Sequence, residues 1–219
     1  MSKSTLKFLG RNSGFFGNNN AAYYEDGKTF WLIDCGITVF YQLVAKFDLS
    51  YYDTINILIT HLHDDHAGSL SQLLMYLGYE CGRKANIFTP CKNIKTRLEI
   101  AGVDPKFYVL THSNNIEWVE TKHVTFLDSY GFCIKWNGRK LVYTGDTATL
   151  EPFYGILKDA DEFYVDVSTK GIVHLKIEDI LDELIRIKGA GTDVYLMHLN
   201  DEKAISDIVQ GALEFAPIE

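Results

Sequence analysis

Three of the seven histidines in this 219-residue chain lie within six positions, in a stretch that also carries two aspartates. The stretch reads Thr60-His61-Leu62-His63-Asp64-Asp65-His66-Ala67-Gly68. Imidazole and carboxylate groups are the ligands that zinc and similar divalent ions prefer in proteins. A single histidine commonly serves packing alone, but packing does not account for three at this spacing. The stretch therefore predicts a metal site.

The apolar run from Ile55 to Ile59 precedes these histidines and predicts a buried strand. Because alternate side chains of an extended segment point the same way, His61 and His63 share one face. Asp65 and His66 follow where the chain must turn into a helix, so they can point to a second position beside the first. The local pattern thus predicts two neighbouring groups of ligands at the end of a strand.

The rest of the chain predicts strand hairpins and strand–helix alternation. Asp26-Gly27 and Asn137-Gly138 are favoured hairpin turns between apolar strands. The segment 150–160 is predicted to be helical, whereas 103–120 carries few signals and is left unassigned. Since no linker, low-complexity tract or strong internal repeat interrupts the pattern, residues 1–219 are predicted to form a single domain, with two sheets and helices outside them.

Composition excludes several classes of function. The net charge is −8, from 29 acidic and 21 basic residues with no basic run, which argues against binding to long nucleic acid. No signal peptide is expected, because the first six residues lack its apolar core. No membrane span is expected either, because no segment approaches the roughly 18 apolar residues that a span needs. Cys35, Cys81, Cys91 and Cys133 show no C-x-x-C spacing and predict free thiols in the cytoplasm, with a Cys81–Cys91 bridge as the alternative.

Further candidate ligands stand at the ends of predicted strands, where metal and catalytic groups commonly lie. His123 precedes the strand pair around Asn137-Gly138, Asp146 ends that pair, and His198 ends the last strand. The order His-x-His-x-Asp-His, a distant His, Gly-Asp and a last His resembles the metallo-β-lactamase superfamily over almost the whole chain. The resemblance implies an α/β (α+β) fold, a four-layer αββα sandwich with the site at one edge of its two sheets.

The resemblance also implies a centre with two metal ions, zinc in the first place and Mn²⁺ or another divalent ion as the alternative. Two such ions about 3.5–4 Å apart share a hydroxide and hold both the attacking and the leaving oxygen. His112 competes with His123 for one ligand position, and Asp34 resembles an acidic residue that orients the histidines of the motif. The implied ligands are His61, His63 and His123 for one ion, Asp65, His66 and His198 for the other, and Asp146 between them.

Asp166 and His174 narrow the resemblance to one branch of the superfamily. In ribonuclease Z-like phosphodiesterases an acidic residue after a strand, usually Glu, and a histidine that opens a helix protonate the leaving oxygen. Asp166 and His174 resemble that pair, and the resemblance gives Asp65 the third catalytic role. The alternative is structural, with His174 at a helix N-terminus and Asp166 as a strand-end cap. The shorter aspartate side chain also leaves open whether the pair can form.

Compact members of this branch include phage anti-Pycsar proteins, which degrade cyclic mononucleotide signals, and the chain is similar to them in size and motifs. We therefore expect a dinuclear zinc phosphodiesterase that converts cyclic mononucleotides to nucleoside monophosphates by attack of the bridging hydroxide, with His174 as general acid. The loop pair Phe15-Phe16 is a candidate for stacking on the base. A small-nucleotide partner, a homodimer and a cytoplasmic location (the host cytoplasm for a phage protein) complete the expectation.

Three other functions stay open at this point. A tRNA 3′-end endonuclease is disfavoured because the chain lacks the glycine- and proline-rich arm that grips tRNA in ribonuclease Z. A thioester or lactone hydrolase of the same fold would use the metals but not the pair Asp166 and His174. A protein that sequesters a nucleotide without cleaving it would need neither the metals nor this pair.

Overall fold

A computed structural model describes residues 4–219 as two six-stranded β-sheets with helices on their outer faces. Within that range no helix is both long and apolar enough to cross a membrane. The strands are β1 (Lys7–Gly10), β2 (Ala21–Asp26), β3 (Thr29–Ile33), β4 (Thr54–Leu58), β5 (Ala85–Phe88), β6 (Tyr108–Thr111), β7 (Ile116–Glu120), β8 (Tyr130–Trp136), β9 (Arg139–Tyr143), β10 (Glu162–Asp166), β11 (Asp193–Met197) and β12 (Glu214–Phe215). The α-helices are α1 (Val39–Lys46), α2 (Asp64–Ala67), α3 (Leu70–Tyr79), α4 (Ile94–Ile100), α5 (Ile177–Gly189) and α6 (Glu202–Val209).

The two sheets have the same topology. The first has the order β1-β2-β3-β4-β5-β6, and the second has the order β7-β8-β9-β10-β11-β12. In each sheet the first three strands are antiparallel, and the third to sixth strands run parallel. Each half of the chain therefore brings the carboxyl ends of its parallel strands to one edge, which is where ligand sites form in such sheets.

An aromatic-rich layer fills the space between the sheets. Phe8 and Tyr24 from the first sheet pack in one buried cluster with Phe132, Tyr143 and Tyr164 from the second. A second cluster joins the outer face of the first sheet to α1, α3 and α4, and a third joins the second sheet to α5 and α6. The order helix, sheet, sheet, helix confirms the predicted αββα sandwich.

Two parts of the sequence-based assignment differ from the structure. The predicted helix over 150–160 is wrong: only a 3₁₀ turn, Glu151–Phe153, forms, and Asp159 has a left-handed φ of 59° that a helix does not allow. Its apolar periodicity reflects Leu150 and Phe153 packing on the second sheet. The unassigned region contains β6 and β7, the edge strands of the two sheets, whose half-exposed side chains lack the alternation of a buried strand.

The cysteine assignment agrees with the structure. All four cysteines are free thiols, so the alternative bridge between Cys81 and Cys91 is not formed.

Candidate metal centre

The histidine-rich stretch begins just beyond the carboxyl end of β4. His61 follows that strand closely, and the short helix α2 starts at Asp64. Because β3 and β4 are parallel neighbours, Asp34, which follows β3, reaches the same edge as His61. Both side chains are completely buried.

A first group of ligand atoms converges beside this edge. Nε2 of His61 and Nε2 of His123 lie 3.0 and 3.2 Å from Nδ1 of His63. Oδ2 of Asp146 is 3.7 Å from Nε2 of His61 and 3.6 Å from Nε2 of His123. The three histidines and this carboxylate oxygen therefore surround one point.

A second group lies next to the first. Nε2 of His66 and Nε2 of His198 are 3.2 Å apart. Oδ2 of Asp65 is 3.3 Å from the former nitrogen and 3.2 Å from the latter. Oδ1 of Asp146 lies 3.3 Å from His66 and 3.5 Å from His198, so the two oxygens of Asp146 face different groups.

This donor set fits divalent metal ions. Oδ1 of Asp146 is buried and has no hydrogen-bond partner among the described residues, although an unpaired buried carboxylate oxygen is costly. It faces imidazole nitrogens in an arrangement that a cation between them would satisfy. The structure thus brings together all seven predicted ligands, whereas the competitor His112 lies in another cavity, beside Thr89 and Leu110.

Each of the four histidines that present Nε2 to the centre has its Nδ1 held from behind. Such contacts fix the tautomer and the ring orientation of a metal ligand. The partners are Asp34 Oδ2 for His66 at 2.8 Å, Thr60 Oγ1 for His61 at 3.1 Å, the Val173 carbonyl for His123 at 2.9 Å and Asp166 Oδ1 for His198 at 3.2 Å. Asp34 thus holds the position that the sequence predicted for it.

Two residues of the site, one that orients a ligand and one that is a candidate ligand, have a left-handed backbone conformation. Asp34 has a φ of 62° and His198 a φ of 57°, a conformation that costs a non-glycine residue on the order of 1–2 kcal/mol. The backbone N–H of His198 donates to Oδ1 of Asn20, whose amide donates in turn to the buried hydroxyl of Tyr143. Strain of this kind, fixed by surrounding contacts, is frequent at functional sites.

Asp166 and His174 form the predicted pair. Oδ2 of Asp166 lies 2.8 Å from Nδ1 of His174, so the shorter aspartate does reach the imidazole. The backbone N–H of Thr147 donates to the same oxygen and helps to fix the carboxylate. His174 precedes α5 by three positions, is 21% exposed, and lies 3.9 Å through Nδ1 from Asp146. It therefore borders the metal centre as well as the helix.

The histidines of the centre differ in the direction in which their surroundings shift the pKa. Burial, the largest effect, lowers the pKa of His61 well below its usual value. Burial also acts against protonation of His66 and His198, but nearby carboxylates outweigh it. Asp146 is the largest such influence on both: the pKa of His66 lies well above its usual value, and that of His198 rises to about 10. The carboxylates thus favour positive charge at the centre.

Burial and nearby charges also act in opposite directions on the pKa values of Asp65 and His174. Burial acts to raise the pKa of Asp65, but His66 and His198 reverse the effect and lower it. Burial acts to lower the pKa of His174, but the charge and the hydrogen bond of Asp166 raise it. The pKa of Asp65 is thus held low, so it is a carboxylate at neutral pH, and the pKa of His174 lies above that of a free imidazole.

A cavity of about 480 Å³ opens over the centre, a volume typical of small-molecule sites. It is lined by ligand residues of both groups, by His174 and by loop residues that include Phe15. The other predicted loop aromatic, Phe16, does not line it.

Arg97 is a site residue that the sequence did not reveal. From α4 its guanidinium donates to the carbonyl of Leu62 at 3.0 Å, to the carbonyl of Ala67 at 3.2 Å and to Oδ1 of Asp64 at 2.7 Å. These three residues lie between or directly after the ligands of the histidine-rich stretch. No spacing links Arg97 to the stretch, because the contact is made only in three dimensions.

Comparison with known proteins agrees with this geometry. The family model described as anti-Pycsar protein Apyc1 matches residues 4–101 and 91–218. An anti-Pycsar protein Apyc1 from Paenibacillus sp. (strain J14) is 27% identical over 245 aligned positions, covering 96% of this chain and 95% of that protein. A ribonuclease Z from Methanococcus maripaludis is 33% identical over 110 residues, which is 48% of this chain and 34% of the relative.

A solved structure supports the fold independently. The metallo-β-lactamase fold protein YhfI from Bacillus subtilis superposes with a TM-score of 0.76, covering 98% of this chain and 95% of its own. Its sequence identity is 17%, so the likeness concerns the fold. Together with the sheet order, it establishes the metallo-β-lactamase fold for this chain.

Proposed function

The chain belongs to the family described as anti-Pycsar protein Apyc1, and from that premise we propose that it is a metal-dependent phosphodiesterase that opens cyclic mononucleotides. The products are then nucleoside monophosphates. One observation carries the proposal: His174, an imidazole outside both ligand groups, borders Asp146 and is held by Asp166. A hydrolase that needs only the metals has no use for this pair, whereas a phosphodiester with a poor leaving group needs a proton donor.

Two divalent ions, which we propose to be zinc, complete the site. His61, His63 and His123 would hold one ion, Asp65, His66 and His198 the other, and Asp146 would contribute one oxygen to each. When bound, such ions supply an activated water and neutralise the negative charge that develops on the phosphate.

His174 is proposed to donate a proton to the departing oxygen. Its Nδ1 is bonded to Asp166, which leaves Nε2 for the substrate, and the described residues supply no other partner for that nitrogen. Asp166 raises the pKa of His174, so the ring holds a proton more readily than a free imidazole does, as a general acid requires. Buried Asp166 is the group that keeps the ring in this orientation.

Asp65 is proposed to orient the attacking water in addition to holding metal. It lines the cavity, and its Oδ2 already faces His66 and His198. The lowered pKa of Asp65 keeps it ionised, so its remaining oxygen can accept a hydrogen bond from water.

We further propose a small nucleotide rather than long nucleic acid as the partner, because a net charge of −8 repels an extended phosphate backbone. A homodimer is proposed from the family resemblance, and light scattering in solution tests it. A cytoplasmic location is consistent with four free thiols.

The decisive experiment offers the metal-loaded protein a panel of 3′,5′- and 2′,3′-cyclic nucleotides, a precursor tRNA, a thioester and a lactone, each with and without chelator. We expect chelator-sensitive conversion of cyclic nucleotides to monophosphates. Cleavage of the tRNA alone would indicate the endonuclease, and turnover of the thioester or lactone alone would indicate the other hydrolases. Cyclic nucleotides that are bound but recovered unchanged would show a sequestering protein.

A further inference from the structure

Phe15 offers an uncovered aromatic ring at the mouth of the metal centre. It is 96% exposed, and no other ring stacks on it within residues 4–219. Phe15 nevertheless lines the same cavity as His63, Asp65 and His174. We propose that Phe15 is the platform of a nucleobase subsite, which stacks on the base while the phosphodiester lies at the metal centre. This inference rests on the proposed nucleotide substrate.

The loop that carries Phe15 is anchored at Ser13 and closed by an internal hydrogen bond. The backbone N–H of Ser13 donates to the carbonyl of Leu199 at 2.9 Å, next to the candidate ligand His198. Within the loop, the N–H of Phe16 donates to the carbonyl of Ser13 at 3.1 Å. The backbone around Phe15 is thus fixed relative to the metal centre, and an aromatic platform needs such a fixed position.

Gly14 places this loop directly against a candidate ligand. A Cβ atom at Gly14 would lie 2.9 Å from Oδ2 of Asp65, so a larger residue would press on that carboxylate. Phe15 is the next residue along the chain. In a mononucleotide the base is separated from the phosphate by one ribose, which matches a platform beside the metal centre rather than within it.

The rest of the cavity wall suits a planar, largely apolar group. Ile37, Val124 and Val173 line it together with Phe15. Apart from the metal-centre residues and His174, the only polar side chains in the lining are those of Ser13 and Asp64. Aromatic rings stack favourably on the faces of nucleobases, and aliphatic side chains can cover the opposite face.

Phe16 provides a matched control within the same loop. It is also aromatic and 41% exposed, but it does not line the cavity. Because both rings are solvent-accessible, replacing either one leaves the buried core intact, and both variants should fold. A difference between them therefore measures position and not loss of an aromatic residue.

The test compares Phe15→Ala, Phe15→Leu and Phe16→Ala on two substrates: a 3′,5′-cyclic nucleotide and the matching 1-O-methylribose 3′,5′-cyclic phosphate, which lacks the base. We expect Phe15→Ala to raise KM for the nucleotide about 5-fold or more, as loss of a stacked ring does. Phe15→Leu should lie between wild type and Phe15→Ala. KM for the base-free substrate, and both KM values in Phe16→Ala, should change less than about 2-fold.

Equal effects of Phe15→Ala on both substrates, or equal effects of the two alanine variants, would overturn the subsite. If the wild-type protein hydrolyses neither substrate, the proposed function fails separately. Calorimetric binding of the cyclic nucleotide then decides about Phe15: weaker binding in Phe15→Ala but not in Phe16→Ala supports the platform. Unchanged binding in both variants, or no binding by the wild-type protein, refutes it.

Discussion

His174 and His198 are hydrogen-bonded to different oxygens of one carboxylate. Oδ2 of Asp166 faces Nδ1 of His174 at 2.8 Å, and Oδ1 faces Nδ1 of His198 at 3.2 Å. The proposed proton donor and a proposed metal ligand are therefore oriented by the same fully buried side chain. Substitutions at Asp166 and at His174 should consequently differ in their effect on metal affinity.

We expect Asp166→Asn to lower both turnover and metal affinity, because His198 loses the carboxylate that fixes its ring. Loss of such an outer partner typically lowers metal affinity about 10–100-fold. His174→Asn should lower turnover about 100-fold or more while the protein keeps its full metal content. Metal content by mass spectrometry and chelator competition distinguish the two variants. A His174→Asn protein that also loses metal would show that His174 supports the centre instead of donating a proton.

The effect of His174 should depend on the leaving group. An alkoxide must be protonated as it departs, whereas a nitrophenolate is stable as an anion and needs no proton. We expect His174→Asn to reduce cleavage of a nucleotide diester strongly and that of a bis(nitrophenyl) phosphate about 10-fold or less. Steady-state rates on both substrates measure this. An equal loss on the two would argue against general-acid catalysis.

Arg97 should support the metal centre without touching it. In Arg97→Ala, Asp64 and the carbonyls of Leu62 and Ala67 lose their shared donor, so the ligands between them become less ordered. We expect metal affinity to fall about 10-fold or more, and Arg97→Lys to restore it only in part, since an ammonium cannot reproduce the planar guanidinium fork. Chelator competition gives the affinities.

Arg83→Ala is the control for this change. Arg83 likewise donates to a backbone carbonyl, that of Ser50, and lies 3.6 Å from a carboxylate oxygen of Asp53, but away from the centre. Its replacement should leave metal affinity unchanged. Equal metal affinities in Arg97→Ala and the wild-type protein would show that Arg97 does not support the metal centre.

Metal binding should release protons near neutral pH. Burial disfavours protonation of His198, but its carboxylate neighbours raise its pKa to about 10 in the metal-free protein, so it is charged at pH 7. A histidine must be neutral to bind a metal ion, and binding should therefore release about one or two protons per protein. Calorimetry of Zn²⁺ binding in two buffers of different ionisation enthalpy measures this number. Identical heats in both buffers would contradict the prediction.

The same shift sets the pH dependence of stability. Because the folded pKa of His198 lies above its ordinary value of 6.5, its protonation stabilises the metal-free fold fully below about pH 6.5. That contribution is lost as the pH rises towards 10. The metal-free protein should thus melt at progressively lower temperature over this range, whereas the metal-loaded protein, with His198 already deprotonated, should not show this loss.

The sequence predicts best where function depends on local spacing. His61, His63, Asp65 and His66 belong to one short motif, and Asp146 and His198 follow strands that could be recognised; the structure brings all of them to one place. Contacts that arise only when distant segments meet were not predictable. Arg97 on the motif and the Val173 carbonyl behind His123 are of this kind, because neither residue type nor spacing marks them.

The fold likewise contains elements that the sequence predicts and elements that it does not. Buried strands such as β4 are largely apolar. The pairs Asp-Gly and Asn-Gly mark the hairpin turns. The edge strands β6 and β7 have too little burial to leave a pattern. The apolar spacing after Leu150 comes from side chains that pack on the second sheet without a helix, which periodicity alone cannot distinguish.

The repeated topology has a consequence for fragment complementation. The first sheet carries His61, His63, Asp65 and His66 at its edge, and the second carries His123, Asp146 and His198, so neither half of the chain contains a complete ligand set. The halves are joined through exposed residues Asn114 and Asn115, between β6 and β7. If the chain were cut there, divalent metal would act as a cross-link between the fragments, and recovery of activity would report their reassembly.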